Sequence, residues 1–597
     1  MTRRFVINSA CAALVGALSV SAPTGLLVTT HAAAAASTPS TVAQAAMQGN
    51  KDGVRTLLKE GADVNSTEGD GMTALHWAAV KDDVDLAKIL LYAGANVRAT
   101  TRLGGYTPLL MASRNGNAPM IDALIKGGAD PKETTVNGTT ALMFAAASGR
   151  AEAVKILIDA GADVNAKENA KGETAMTFAA AYGRSDVIRV LAARGADVKV
   201  TTKVQDLSEF TREEQARFQV IQQTGAPPGN GVRGAEEGGR GTPAAEAPAG
   251  GGRGRGGPQI AGVTRQYLYN ELVGMAGGLA PIHLAARQGH MDSVKALLEN
   301  GADFNQLTAG DKSSAMLVAT LNGHFDIAKY LLDKGADPRL AAANNGATPL
   351  YAALNCEWAP KALYPQPRAY EQQQTSYLDL MKALLEKGAD PNARVTKKVW
   401  YSGYNFDLSG VDEAGATPFW RAAYASDVDA MKLLISYGAD PNIWTMRTPG
   451  RPRTGDSQRD AVDVSGLPPV PVGAPAVPPL LAAAGVGYGE GFAANSHRFA
   501  PGGQLAAVKY LVEVLHVDVN ARDHEGNTAL HHAAARGDNE MIVYLVSKGA
   551  DPLAVSREGR TTVDMANGPV QRIQPFPETI KLLEGMGAKN NHKCVSC

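Results

Sequence analysis

The chain has 597 residues with 58 Lys and Arg against 59 Asp and Glu, a formal charge of -1. That balance argues against a nucleic-acid or anionic-membrane partner recruited by bulk charge. Apolar residues make up 45% and aromatics only 6%, a composition of alanine- and leucine-rich helices, and four cysteines are too few for a disulfide framework.

In chain order, residues 1–36 place Arg3 and Arg4 before an apolar run over 10–28 and small residues at 32–36. This is the three-part layout of a secretory signal peptide, which predicts export to the periplasm or outside. Phe5 directly after the arginine pair departs from a twin-arginine signal. No second run of about 20 apolar residues follows, so no membrane span is expected in the mature chain.

Residues 38–200 then carry a period. The glycine of a closing Gly-Ala-Asp/Asn signature recurs at Gly61, Gly94, Gly128, Gly161 and Gly195, in steps of 33, 34, 33 and 34. Within one unit Thr73 or Thr107 can cap a helix, and Pro108 has no amide hydrogen to leave unpaired in the first turn. Leu75, Ala78 and Ala79 give that helix a close-packing face, while Val84, Ala87, Ile89, Leu90 and Leu91 fall at helical spacing in a second helix. Gly94 ends it in the left-handed region. A unit of this size cannot bury its apolar face alone and must stack on copies of itself. The run Thr73-Ala74-Leu75-His76-Trp77-Ala78-Ala79, followed by Leu90-Leu91 and Gly94-Ala95-Asn96, resembles the ankyrin repeat. The resemblance implies an all-α solenoid of about twelve repeats, five of them in 38–200. It also implies that His76, His283 and His531 hydrogen-bond between repeats.

The period breaks at 201–277, a Gly-, Pro- and Arg-rich insertion with a possible helical start near Phe210. Its Arg-Gly steps invite an RNA-binding reading, but the interspersed Glu236, Glu237 and Glu246 favour a flexible, solvated insertion. Repeats 6–9 occupy 278–447, with inserted loops at 355–376 and 395–414. The second loop, through Val399 and Trp400, reads as a lengthened hairpin finger with a Ser-Gly turn. His290 and His324 end first helices beside a glycine, a capping position. A Pro-rich linker covers 448–476, and repeats 10–12 cover 477–588. The second helix of repeat 10 is expected over 504–515, with His516 in place of the closing glycine. Pro569, Pro575 and Pro577 make the last repeat degenerate, as suits a C-terminal cap.

The tail, 589–597, ends in Cys594-Val595-Ser596-Cys597. This Cys-x-x-Cys reads as an exposed disulfide or redox pair, a weak thiolate metal site, or the front of a c-type haem attachment cut one residue before its histidine. His524, His531 and His532 invite a metal site, but adjacent helical residues point about 100 degrees apart. No catalytic triad, phosphate loop or metalloprotease pattern stands out. The expectation is a non-catalytic, monomeric protein-binding scaffold with no metal and no cofactor, haem excepted if the gene continues. Trp400, Tyr401, Tyr404 and Phe406, with Trp444, are the expected partner-binding patch; the plainer reading is that they fold the insertion onto its neighbours. A redox accessory role carried by Cys594 and Cys597 is the alternative.

Overall fold

The structure, a computed structural model, describes residues 41–210, 212, 260–358, 368–399, 411–449, 463–487, 498–568 and 575–593. Twelve helix pairs follow one another along these residues. Repeats 1–5 pair Val42–Gln48 with Lys51–Lys59, Ala74–Val80 with Val84–Tyr92, Pro108–Asn115 with Ala118–Lys126, Ala141–Ser148 with Ala151–Asp159, and Ala175–Ala181 with Ser185–Ala193. Repeats 6–9 pair Pro281–Gln288 with Met291–Glu299, Ala315–Leu321 with Phe325–Asp333, Pro349–Glu357 with Tyr377–Glu386, and Pro418–Tyr424 with Val428–Ser436. Repeats 10–12 pair Pro479–Ala483 with Gly503–Lys509, Ala529–Ala534 with Asn539–Ser547, and Thr562–Ala566 with Pro577–Gly585.

The first helices are short and begin alike. Thr73, Thr107, Thr140, Thr174, Thr348, Thr417 and Thr561 each accept the third helical N–H on the side-chain oxygen, satisfying a donor that has no partner inside the helix. Small pairs such as Ala78 and Ala79, Ala145 and Ala146, and Ala533 and Ala534 are fully buried between neighbouring first helices. Their size lets the helices approach closely, and one core runs from Val42 to Ala588. In the second helix of repeat 1 only Val54 is buried, as expected of an end that faces water.

Each first helix packs on the first helix of the next repeat, and this includes the junctions that carry 201–277 and 448–476. The array is therefore continuous, and neither segment separates two blocks of repeats. Segment 201–277 leaves and returns through a two-stranded antiparallel sheet, β1 (Val204–Asp206) with β2 (Met275–Gly277). Its described return, 260–277, is an ordered strap rather than a flexible spacer. It includes a short helix, Tyr269–Val273, and an Arg265–Glu271 pair at 2.6 Å. The strap crosses the hairpin tips that precede repeats 7, 8 and 9. Ala309 N–H donates to the Gly278 carbonyl (2.9 Å), Asn344 Nδ2 to the Val273 carbonyl (3.1 Å), and Lys397 Nζ to the Glu271 carbonyl (3.2 Å).

The stretch expected to be a linker does the same further along. Its stem closes where Ala476 N–H donates to the Thr445 carbonyl and Arg447 N–H to the Ala474 carbonyl, both at 2.8 Å. Residues 463–468 then lie on the tips before repeats 11 and 12. Arg557 pairs with Asp463 at 2.6 Å and also donates to the Leu467 and Pro468 carbonyls.

Two local expectations change. His290 and His324 do not end first helices; each precedes a second helix and reaches back one repeat. Their Nε2 atoms lie 3.2 Å from the Ala181 carbonyl and 3.1 Å from the Arg287 carbonyl, at the ends of the preceding first helices. Arg184 fills the same slot and donates to the Ala147 carbonyl at 2.9 Å, so the position caps the neighbour's unpaired carbonyl. In repeat 10 the second helix is α-helical only to Lys509 and continues as a π turn, Tyr510–Val514. The turn takes up one extra residue, and His516 then adopts φ 55°, the conformation Gly438 has at the same point of repeat 9.

Candidate interaction surface

Of the residues singled out in the sequence, Trp400, Tyr401, Tyr404, Phe406, Cys594 and Cys597 lie outside the described residues. The base of the 395–414 loop is described. Val395 N–H donates to the Ala416 carbonyl (3.0 Å), Gly415 N–H donates to the Val395 carbonyl (2.7 Å), and Val399 and Val411 are buried. Trp444 stands half-buried beside this base, its carbonyl accepting from Arg394 Nη2 at 2.7 Å. Cys356 is described, and burial pushes its thiol up to about 12, which makes it inert as a nucleophile.

The repeat histidines are structural. Nδ1 of His76 accepts the Thr73 N–H at 3.1 Å, so its proton sits on Nε2, which donates across to the Tyr106 carbonyl at 3.0 Å. His283 repeats this with Ala280 and Gln306, and His531 with Thr528 and Arg560. Burial lowers all three, His283 and His531 to about 4. His532 turns away from His531 toward Asp523, at 3.3 Å. Among the described residues no group of three His, Cys, Asp or Glu could hold a metal ion.

The insertions within repeats 8 and 10 meet over repeat 9. Asp427 Oδ2 accepts from Trp358 Nε1 (2.8 Å) and Tyr377 Oη (2.7 Å), while Oδ1 caps the following helix through the Ala430 N–H. Arg421, buried on the first helix, donates to Asn355 Oδ1 (2.7 Å) and to the Trp358 carbonyl (3.0 Å). From the repeat 10 insertion Arg498 reaches Tyr370 Oη at 2.6 Å and lies 5.8 Å from the centre of the Trp358 ring. Every aromatic here is tied to a polar partner of the same chain, so this cluster fastens the insertions down.

One relationship runs the length of the array and was not read from the sequence. The helical position after the histidine slot changes in exposure along the array. It holds Trp77, Met111, Phe144 and Phe178 in repeats 2–5, all half-buried. From repeat 6 the same position is closed: Leu284 is 3% exposed, Val318 8%, Ala352 1%, Arg421 3% and His532 3%. The signal was present as four large apolar residues one step past the histidine slot, but a sequence pattern cannot say how far each stays exposed.

Models of the ankyrin repeat match this chain at residues 42–135, 109–202 and 282–395 (ankyrin repeats, three copies), at 496–546 (ankyrin repeats, many copies) and at 414–446 (a single ankyrin repeat), together more than half of its length. Among curated proteins it is 39% identical over 93 residues to "Palmitoyltransferase ZDHHC17" of Danio rerio, a match covering 15% of this chain and 14% of the relative. It is 36% identical over 93 residues to "Palmitoyltransferase ZDHHC13" of Homo sapiens, with the same coverage. Against "Ankyrin repeat and SOCS box protein 3" of Bos taurus it is 33% identical over 102 residues, 17% of this chain and 19% of the relative. The chain thus spans less than a fifth of the length of these relatives.

Proposed function

The chain belongs to the ankyrin repeat family, and from that premise we propose that it is a non-catalytic scaffold that binds another protein. The observation that carries this reading is the half-open row of Trp77, Met111, Phe144 and Phe178, at a first-helix position that is closed in the other repeats. Large apolar side chains held at the surface of a rigid scaffold are the residue types that anchor protein interfaces. The buried histidines and Cys356 are committed to structure, and the stacked helices leave little room for a substrate. The palmitoyltransferase activity named for two relatives is not carried over, because the matches span only 14% of those proteins.

The layout of residues 1–36 supports export, so the partner is sought in the cell envelope or outside it. The aromatic loop of Trp400, Tyr401, Tyr404 and Phe406 beside Trp444 is proposed as a second contact region, on sequence grounds. The test is co-purification of the tagged, exported chain with a defined partner at fixed stoichiometry. Recovery of the chain alone across a range of salt concentrations would overturn the reading.

A further inference from the structure

We propose that the open row on repeats 2–5 binds an acidic segment of another protein, one that alternates carboxylates with large apolar side chains. The proposal rests on the scaffold reading and adds the place and the chemistry of the partner.

Place follows from burial. The first-helix position after the histidine slot is half-open only where Trp77, Met111, Phe144 and Phe178 occupy it, and these residues stand in register on helices that pack side by side. Tyr106, from the hairpin tip before repeat 3, extends the row with its ring 5.9 Å from that of Phe144. Val80 and Tyr182 widen it with 42% and 54% of their surface exposed. Further along, where that position is closed, the chain's own segments lie on the neighbouring hairpin tips and on repeat 9. The 260–277 strap lies on the tips before repeats 7–9, the 463–468 strap on those before repeats 11 and 12, and the 498–500 segment on repeat 9.

Chemistry follows from charge. The first helices of repeats 2–6 contain no Asp or Glu, and the charged residues on them and at their ends include Lys81, Arg114 and Arg287. All three are exposed and form no ion pair among the described residues. Of the hairpin-tip carboxylates, Glu173 lies within electrostatic reach of Arg287, whereas two others are turned into their own loops. Glu168 accepts the N–H groups of Ala170, Lys171 and Glu173, and Asp70 accepts that of Met72. An apolar row edged by exposed cations that form no salt bridge favours a carboxylate-bearing partner, because opposite charges both steer its approach and penalise basic competitors.

The test uses the full chain and two short synthetic peptides, one alternating Glu with Leu and Phe, the other with Lys in place of every Glu. The Glu peptide should bind, with affinity falling as salt rises, and the Lys peptide should bind at least about tenfold more weakly. The double variant Arg114→Glu, Arg287→Glu, both sites exposed, should cost the Glu peptide about tenfold while leaving the thermal midpoint unchanged. Phe144→Ser should weaken both peptides. Equal binding of the two peptides, or unchanged affinity in the charge-reversed variant, would overturn the proposal. So would sedimentation showing that the row is covered by a second copy of this chain. A native partner that co-purifies as well with the charge-reversed variant as with the parent would sink this site while leaving the scaffold reading standing.

Discussion

Trp420 donates its indole N–H to the carbonyl of Val477 at 3.0 Å, although the two are 57 positions apart in sequence. The indole stands in the slot that His76, His283 and His531 fill elsewhere, and it makes the same bond, from a first helix to the chain entering the next repeat. One contact therefore carries the repeat geometry across an insertion as though the insertion were absent. Replacing Trp420 by Phe removes the donor, yet Val477 keeps the Thr445 N–H at 3.1 Å, so about 1 kcal/mol should be lost. Trp420→Ala adds a cavity at a fully buried site and should cost about 3–5 kcal/mol. Urea denaturation of the two variants reads the difference; equal costs would show that packing is not what the ring supplies.

Acid should loosen the array at its histidines. Burial holds His283 and His531 at about 4, against about 6.5 for an unburied imidazole. The unfolded chain thus takes up protons first as pH falls. The stability these rings provide is complete above pH 6.5 and drains away between there and pH 4. By pH 5 each should have lost about 2 kcal/mol of local stability. Hydrogen exchange in repeats 6 and 11 at pH 7 and pH 5, corrected for intrinsic exchange, measures it; protection independent of pH would contradict the assignment.

Asp427 satisfies two buried donors from the repeat 8 insertion as well as its own helix. Asp427→Ala strands the Trp358 indole N–H and the Tyr377 hydroxyl and removes a cap, so a loss of about 2–4 kcal/mol is expected. Asp427→Asn keeps an acceptor oxygen and should lose less. Thermal melts rank the pair, and the opposite order would mean the carboxylate is not what holds the insertion.

Arg557 ties the second strap to the tips of repeats 11 and 12. The Ser465 hydroxyl and N–H, together with Arg557, hold the Asp463 carboxyl down at about 2, so this tie persists throughout the physiological range. Arg557→Ala should expose the peptide bonds around 463–468 to limited proteolysis with little change in the melting of the repeats. Cleavage no faster than in the parent would show that the strap is held by other contacts.

Two glycines with the same left-handed backbone should respond differently. A methyl group on Gly94 (φ 84°) would meet nothing within 4 Å, whereas one on Gly183 (φ 72°) would lie 2.9 Å from His290 Nδ1, whose ring caps Ala181. Gly94→Ala should cost about 1 kcal/mol from backbone strain, and Gly183→Ala should add the loss of that cap, about 1 kcal/mol more. Equilibrium unfolding separates the two.

The sequence by itself determined the repeat: its period, the threonine caps, the alanine pairs and the all-α array follow from contacts within one unit or between adjacent ones, which recur and so announce themselves. It also pointed to the His76, His283 and His531 bonds, through the family resemblance. Tertiary structure alone decided what the insertions do. Asn344 meets the Val273 carbonyl and Arg557 meets Asp463 because stacking brings hairpin tips together that lie 71 and 94 residues away along the chain. Nothing periodic marks such pairs, and neither their residue types nor their spacing differs from that of a solvated loop. For the same reason Trp77, Met111, Phe144 and Phe178 were legible as apolar residues but not as an open row. Exposure at one repeat depends on what packs against that position, and that is settled only when the array has stacked.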